Sequence, residues 1–526
     1  MKKTWISIWL LCLLAALALT ACGSAEDSGP STLPEAESSP AAAPEEIIDC
    51  VVENFCLLAE VPRPSHHEEA IGAFLMNWAE EQGLRPVMDE AGNVMVDVPP
   101  SQGLEEYPLV ILQGHMDMVV AVEDGKDFDP LTDPIAVIRD EEANTLKADG
   151  TSLGSDDGAG CAIIMAVVQG RTPHGPLRVL ITTDEEDGME GAFNMDASWL
   201  ENASYLINID NETSSDVLVS TAAGDSMRFS RSAGFRDAAG DLALTVELSG
   251  LTGGHSGIEI NKGRLNGLIG LAGFLKDLRE HGVSCELARF AGGTASNAIP
   301  NRAACTIVIS AGDADAVKER AETYLTELKE AYAGIEDGMS LRVTEEDSVP
   351  QVLSEEDRES LVRFMTELID GVNTWSADMD GLVESSSNLG IFTLDENGIS
   401  GSSYIRSSVG EKEQEILDAQ AALASSCGYE TETVKMADPW PYDPDSRLLA
   451  MTKEIYLAQN GEEINVSAVH AGLECGTFKL LNPDLDMISI GPDISDAHTI
   501  RETLYLDSVP KVWNLLAELL IQIGKE

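Results

Sequence analysis

Positive charge is what this chain has least of: 33 lysines and arginines stand against 91 aspartates and glutamates, a formal net charge of -58. A surface of that sign repels phosphate backbones and anionic headgroups, which excludes nucleic-acid binding and charge-driven membrane contact. It favours solubility and gathers cations, and assigns no function by itself. Cysteine offers no framework either. Beyond Cys12 and Cys22 the chain holds Cys50, Cys56, Cys161, Cys285, Cys305, Cys427 and Cys475, scattered, odd in number and mostly in apolar contexts. That pattern reads as small core residues and argues against a disulfide scaffold or a zinc finger. Long hydrophobic runs are scarce as well. The run from Trp5 to Leu19 falls short of the roughly 20 apolar residues that a membrane span needs.

That run is better read as an export signal. Lys2 and Lys3 precede it, and Leu19-Thr20-Ala21-Cys22 follows, giving a positive region, an apolar region and small residues before a cut. A leucine three positions before a cysteine resembles the bacterial lipobox, which implies that Cys22 is lipidated and becomes the new N-terminus. Pro30, Pro34, Pro40 and Pro44 then recur among Ser, Ala and Glu, the composition of a disordered tether. The expected division is a signal over 1–22, a tether over 23–45, a first core over 46–223, an inserted unit over 224–437 and a return to the first core over 438–526.

In the first core, apolar runs end in residues that bind metals. Leu109 to Gly114 delivers His115 and Asp117; Leu177 to Thr183 delivers Asp184, Glu185 and Glu186. Tyr205 to Ile209 delivers Asp210, and Leu485 to Gly491 precedes His498. Continuous apolar runs alternating with helical stretches predict an α/β fold, a mixed but largely parallel sheet with helices on both faces. Ligands of such sheets bind beyond the carboxyl ends of the strands. Between 224 and 437 the rhythm changes to alternating strands and amphipathic helices, and its order repeats from Leu341 to Cys427. We expect an inserted α+β lid domain there, with an internal doubling. Nearer the N-terminus, Ser65 is expected to cap a helix, with Glu68 three residues on. His66 and His67 are expected at the surface or as capping residues, and His174 and His281 at the surface.

Between these runs lies Asp149-Gly150-Thr151-Ser152-Leu153-Gly154-Ser155-Asp156-Asp157-Gly158-Ala159-Gly160, followed by the apolar stretch Cys161 to Val168. A helix starting there turns its free amides toward the loop. Two adjacent carboxylates repel unless a cation neutralises them. With His115, Asp117, Glu185, Glu186, Asp210 and His498 at the other strand ends, the set suits two cations bridged by Asp156.

These stretches resemble the co-catalytic zinc dipeptidases and related aminoacylases. The matches include Gln113 to Val119, Asp149 to Gly160, Thr183 to Ala192, Gly253 to Gly257, Asn297 to Pro300, Ser387 to Gly390, Ile405 to Ser407 and Ser489 to Pro492. His470-Ala471-Gly472-Leu473-Glu474-Cys475-Gly476 is particular to the subgroup acting on aminoacyl-histidine dipeptides. The resemblance implies two divalent ions, zinc first and manganese or cobalt as alternatives, with Asp156 as the bridge. His115 and Asp210 would complete one site, Glu186 and His498 the other. Asp117 would orient His115, Glu185 would be the general base, and His255 and Asn297 would meet the oxyanion. Arg406, His470 and Glu474 would bind substrate, and the Asp156–Asp157 peptide would be cis. The implied partners are small peptides, with membrane contact only through the Cys22 lipid at the outer face of a bacterial cytoplasmic membrane. Monomer and homodimer both stay open. An N-acyl amino acid hydrolase, a carboxypeptidase and a non-catalytic peptide-binding lipoprotein are the competing expectations. The sequence departs from the family pattern at Thr499-Ile500, after His498, and at Asn211-Glu212-Thr213, after Asp210.

Overall fold

Four parallel strands form the centre of the first sheet, and their carboxyl ends share one edge. In the computed structural model, which describes residues 43–347, 349 and 351–525, these are Leu177–Thr182, Leu109–His115, Ala203–Asn208 and Asp486–Ser489. Val94–Val98 and Val87–Met88 extend one side antiparallel, and Asp216–Thr221 with Asn465–Val469 extends the other. The fold class is the mixed α/β one expected, because strands covered on both faces need apolar residues at nearly every position. Side chains alternate across the strand. Gly114 faces helix Ser155–Val168 so closely that a Cβ there would collide with the Asp157 carboxylate. Ile111, of opposite parity, joins Leu180, Leu206, Trp199 and Phe478 in the core on the other face.

The export signal, Cys22 and most of the tether lie outside the described residues. Helix Pro44–Ala59 begins inside the stretch expected as tether. Proline suits the first helical position, and Glu45 and Glu46 complement the dipole in the first turn. Among the described residues no helix is long and apolar enough to cross a membrane.

The second sheet takes its strands from residues 223–437 and repeats one unit twice. Leu242–Ser249, helix Gly267–Glu280, Glu286–Gly292, Ala303–Ile309, helix Ala314–Ala331 and Ser340–Glu346 form the first copy. In space its strands stand fourth, first, third, second. Ala223–Arg231, helix Glu355–Glu367, Val383–Asp395, Gly398–Ser407, helix Gly410–Ser426 and Glu430–Ala437 form the other. Its strands stand second, third, first, fourth, so the copies join where Glu286–Gly292 pairs with Val383–Asp395. One apolar core, including Leu244, Phe274, Phe290, Phe364, Phe392 and Ile416, runs through both copies.

Two local expectations fail for lack of long-range information. Ser65 caps nothing; helix Glu69–Glu81 has no side-chain cap, and the Ser65 hydroxyl donates to Asp117 at 2.8 Å. His174 is not at the surface but buried, its Nδ1 2.7 Å from the Gly175 carbonyl. Burial pushes its pKa down.

Candidate metal centre

The loop that opens helix Ser155–Val168 is built around carboxylates and glycines. Glu502, 3% exposed, accepts the N–H groups of Leu153, Gly154, Ser155 and Asp156 at 2.9, 3.0, 2.6 and 3.4 Å, and the Ser155 hydroxyl at 2.6 Å. An acceptor at a helix start satisfies donors that the helix itself cannot. Buried Arg63 joins this loop to the next, donating to the carbonyls of Met116 and Asp117 at 3.0 and 2.9 Å and to that of Gly154. Gly160 is required because a Cβ would strike the Ile209 carbonyl.

The two adjacent acids divide their work. Asp157 turns inward and accepts the His115 and Gly160 N–H groups at 3.2 and 3.1 Å. Asp156 faces out of the loop, and the Asp156–Asp157 peptide is cis as expected. Its Oδ1 lies 3.1 Å from His115 Nε2 and its Oδ2 lies 3.0 Å from His498 Nε2. Each imidazole meets a second carboxylate: Asp210 Oδ1 is 3.5 Å from His115 Nε2, and Glu186 Oε1 is 2.9 Å from His498 Nε2. Asp117 Oδ1 lies 3.2 Å from His115 Nδ1. A hydrogen bond there puts the proton on Nδ1 and turns the bare Nε2 toward the acids.

Electrostatics favour cations here. Burial pushes Asp210 up to about 7 and raises Glu186. Burial also raises Glu185 well above the usual range, with Asp210 and Glu474 adding to it. The hydrogen bond to Asp156 leads in raising His498, to about 11, followed by that to Glu186. So many buried acids take up protons when nothing else neutralises them. Two nitrogen donors, one shared carboxylate and one further carboxylate per side fit a pair of divalent ions. The donor atoms of His115, Asp156 and Glu186 all lie within 4.8 Å of one another.

Glu474, expected to bind substrate or to shape the pocket, is fully buried beneath the strand ends. Gln113 Nε2 and Thr182 Oγ1 each donate to its Oε2 at 2.7 Å, and Asn208 Nδ2 donates to Gln113 Oε1 at 2.6 Å. The remaining predicted residues form a second group where the second sheet meets the 470 loop. His255 Nδ1 accepts the N–H groups of Gly257 and Ile258 at 3.1 and 3.2 Å, which leaves its proton on Nε2. Exposed Asn297 accepts the Ser256 N–H through its carbonyl at 2.8 Å. His470 Nε2 sits 2.7 Å from the Ser386 hydroxyl, and burial and then Arg406 push it down to about 3. Arg406 is 5% exposed and stacks 4.3 Å over the Tyr404 ring. Among the described residues no carboxylate pairs with it, and no hydrogen bond or ion pair links this group to the five metal-ligand candidates.

Glu502 and Arg63 are the functional residues that sequence patterning misses. Only the spacing of Glu502, four residues past His498, offered a signal. Glu502→Gln swaps an acceptor oxygen for an NH₂ group, so at least one buried N–H loses its partner, at about 1–3 kcal/mol. The expected result is a lower unfolding midpoint and weaker metal retention on dialysis; wild-type values of both would show the clamp to be dispensable.

The sequence profile of "Peptidase family M20/M25/M40" matches residues 111–522. The cytosol non-specific dipeptidase of Escherichia coli is 34% identical over 474 residues, 89% of this chain and 96% of that one. The crystal structure of aminoacylhistidine dipeptidase from Vibrio alginolyticus superposes with a TM-score of 0.85 at 33% identity, covering 92% and 97% of the two chains. A tripeptidase from Staphylococcus aureus, at 14% identity and a TM-score of 0.52, shares the fold.

Proposed function

We propose that this chain, which belongs to peptidase family M20/M25/M40, is a two-zinc dipeptidase cleaving unblocked L-dipeptides, Xaa-His among them, outside the bacterial cytoplasmic membrane. The chain is a metal-dependent dipeptidase of that family. The observation that carries the finer reading is the placement of Asp156 between His115 and His498, each imidazole with its own second carboxylate.

In this reading His115 and Asp210 would hold one ion, Glu186 and His498 the other, and Asp156 would serve both. Bound there, the ions would supply Lewis acidity to the scissile carbonyl and acidify water. Glu185 takes the proton of the attacking water and returns it to the leaving amine. Asp117 fixes the His115 ring. His255 donates its Nε2–H to the developing oxyanion, with Asn297 beside it, and Arg406 receives the substrate carboxylate. Residues 224–437 act as the lid that brings these last groups over the strand ends.

Turnover of dipeptides, tripeptides, dipeptide amides and N-acyl amino acids by zinc-, manganese- and cobalt-loaded protein tests the reading. Free dipeptides should be cleaved fastest; faster N-acyl amino acid hydrolysis would overturn it. The lipobox supports surface anchoring, although the Escherichia coli relative carries "cytosol" in its name. Cys22→Ala should release the protein from membranes with activity unchanged. A variant that still fractionates with membranes rules out the lipid anchor.

A further inference from the structure

We propose that His66 is a positioning residue for the reaction: its imidazolium ties together the two ends of the loop that carries Glu185 and Glu186. The proposal takes its reaction from the dipeptidase reading above. Its geometry does not depend on that reading.

Asp184 and Asp187 bracket the catalytic pair, and the His66 ring spans them. Nδ1 lies 3.0 Å from Asp184 Oδ2, and Nε2 lies 2.9 Å from Asp187 Oδ2. Ionised carboxylates only accept, and neutral imidazole carries a single N–H, so with both acids ionised the two contacts are hydrogen bonds only when the ring is protonated. The backbone grips the same loop: the His66 N–H and the Asp184 N–H donate to one oxygen, Glu68 Oε1, at 3.0 and 3.1 Å. His66 takes a left-handed φ of 65° to do so.

Burial raises the pKa of Asp184, and the charge of His66 works against that rise. Asp184 is 6% exposed, and its Oδ1 has no hydrogen-bond partner among the described residues. It belongs to a buried group with Glu68 and Asp117. Glu69, Glu90 and Glu190 line the cavity beside His66, and among the described residues no other basic side chain lines it. The hydrogen bond to Asp187, then the charge of Asp184, raises His66 above its usual 6.5. A raised histidine value means that the tie is complete at low pH and is lost as pH rises through that raised value. Once it is lost, two acids with no shared cation flank Glu185, and the base leaves its working position. Misplacement of a catalytic group lowers kcat more than it weakens binding.

The ring is 55% exposed, and exposed ion pairs are weak, so we expect a loss of about three- to tenfold in kcat. The test uses the full metal-loaded chain and its best dipeptide, with kcat and KM measured from about pH 5.5 to about 9 across the histidine range. Wild type should lose kcat on the alkaline side. His66→Phe should be slow throughout and lack that limb, while His66→Arg, a permanent two-ended donor, should stay fast to high pH. KM and metal content should match in all three. Imidazole ¹H–¹⁵N spectra, assigned by the signal missing in His66→Phe, should show both nitrogens protonated at low pH and earlier deprotonation in Asp187→Asn. Wild-type kcat in His66→Phe at low pH, or a neutral ring there, overturns the proposal. If wild type cleaves no dipeptide, the dipeptidase reading falls, and the ring titration alone then decides the tie.

Discussion

Glu185→Gln is expected to keep its metal and lose roughly 10²- to 10⁴-fold in kcat, the range for removing a general base. The amide has the carboxylate's shape but cannot take a proton from water. Metal should stay because none of the five ligand candidates leans on the Glu185 side chain: among the described residues its only hydrogen bond is the backbone N–H to Asp117 Oδ1, at 3.1 Å. Asp156→Ala should behave in the opposite way. It strips the carboxylate that faces both His115 and His498, so metal should be lost along with activity. Metal analysis after dialysis separates the two variants. Glu185→Gln losing metal would make Glu185 a ligand, and Asp156→Ala keeping its full metal content would remove the shared-ligand assignment.

What was legible in the sequence is what short-range patterning encodes. The parallel strands announced themselves as apolar runs, and one rule about strand ends then gathered His115, Asp156, Glu186, Asp210 and His498 at a single edge. The doubling of the second sheet showed only in part: the repeat was expected from Leu341, but Ser340–Glu346 closes the first copy and the second opens on Ala223–Arg231, far earlier in the chain. What stayed hidden depends on partners far away in sequence. Beyond its spacing from His498, nothing near Glu502 announces that it accepts four amides from 153–156, nearly 350 positions earlier, and nothing near Arg63 announces the carbonyls of Met116, Asp117 and Gly154. Ser65 resembles a cap because capping is local, yet Asp117 offers its hydroxyl a buried acceptor. For Glu474 the family-specific run left substrate binding and pocket shaping both open, and its burial under Gln113 and Thr182 fits the second. Proline at 44 looked like tether but occupies a first helical turn.

Arg406→Ala should lose at least about tenfold in kcat/KM on free dipeptides, because removing one partner of a desolvated charge pair costs roughly 2–5 kcal/mol and about 1.4 kcal/mol is a factor of ten. The physical ground is a cation without an anion. A guanidinium taken out of water normally brings a carboxylate with it. Arg406, at 5% exposure, has only the Tyr404 ring face, with no carboxylate paired to it among the described residues and its Nε unpartnered. His255 and His470 are titratable neighbours that feel its charge; burial first, and then Arg406, lowers the pKa of both. A negative group entering that space meets Arg406 together with two neutral rings, an arrangement that suits a carboxylate. In the proposed reading the metal centre would fix the scissile carbonyl, so a free carboxylate one residue beyond the cut would reach Arg406, and that of a longer chain would not. Dipeptide amides lack the charge, so wild type and Arg406→Ala should hydrolyse them about equally poorly. The comparison also isolates structural damage: a variant that merely misfolds loses acids and amides in equal proportion. Equal losses would make Arg406 a structural residue, and the account of why the enzyme stops at two residues would fall with it.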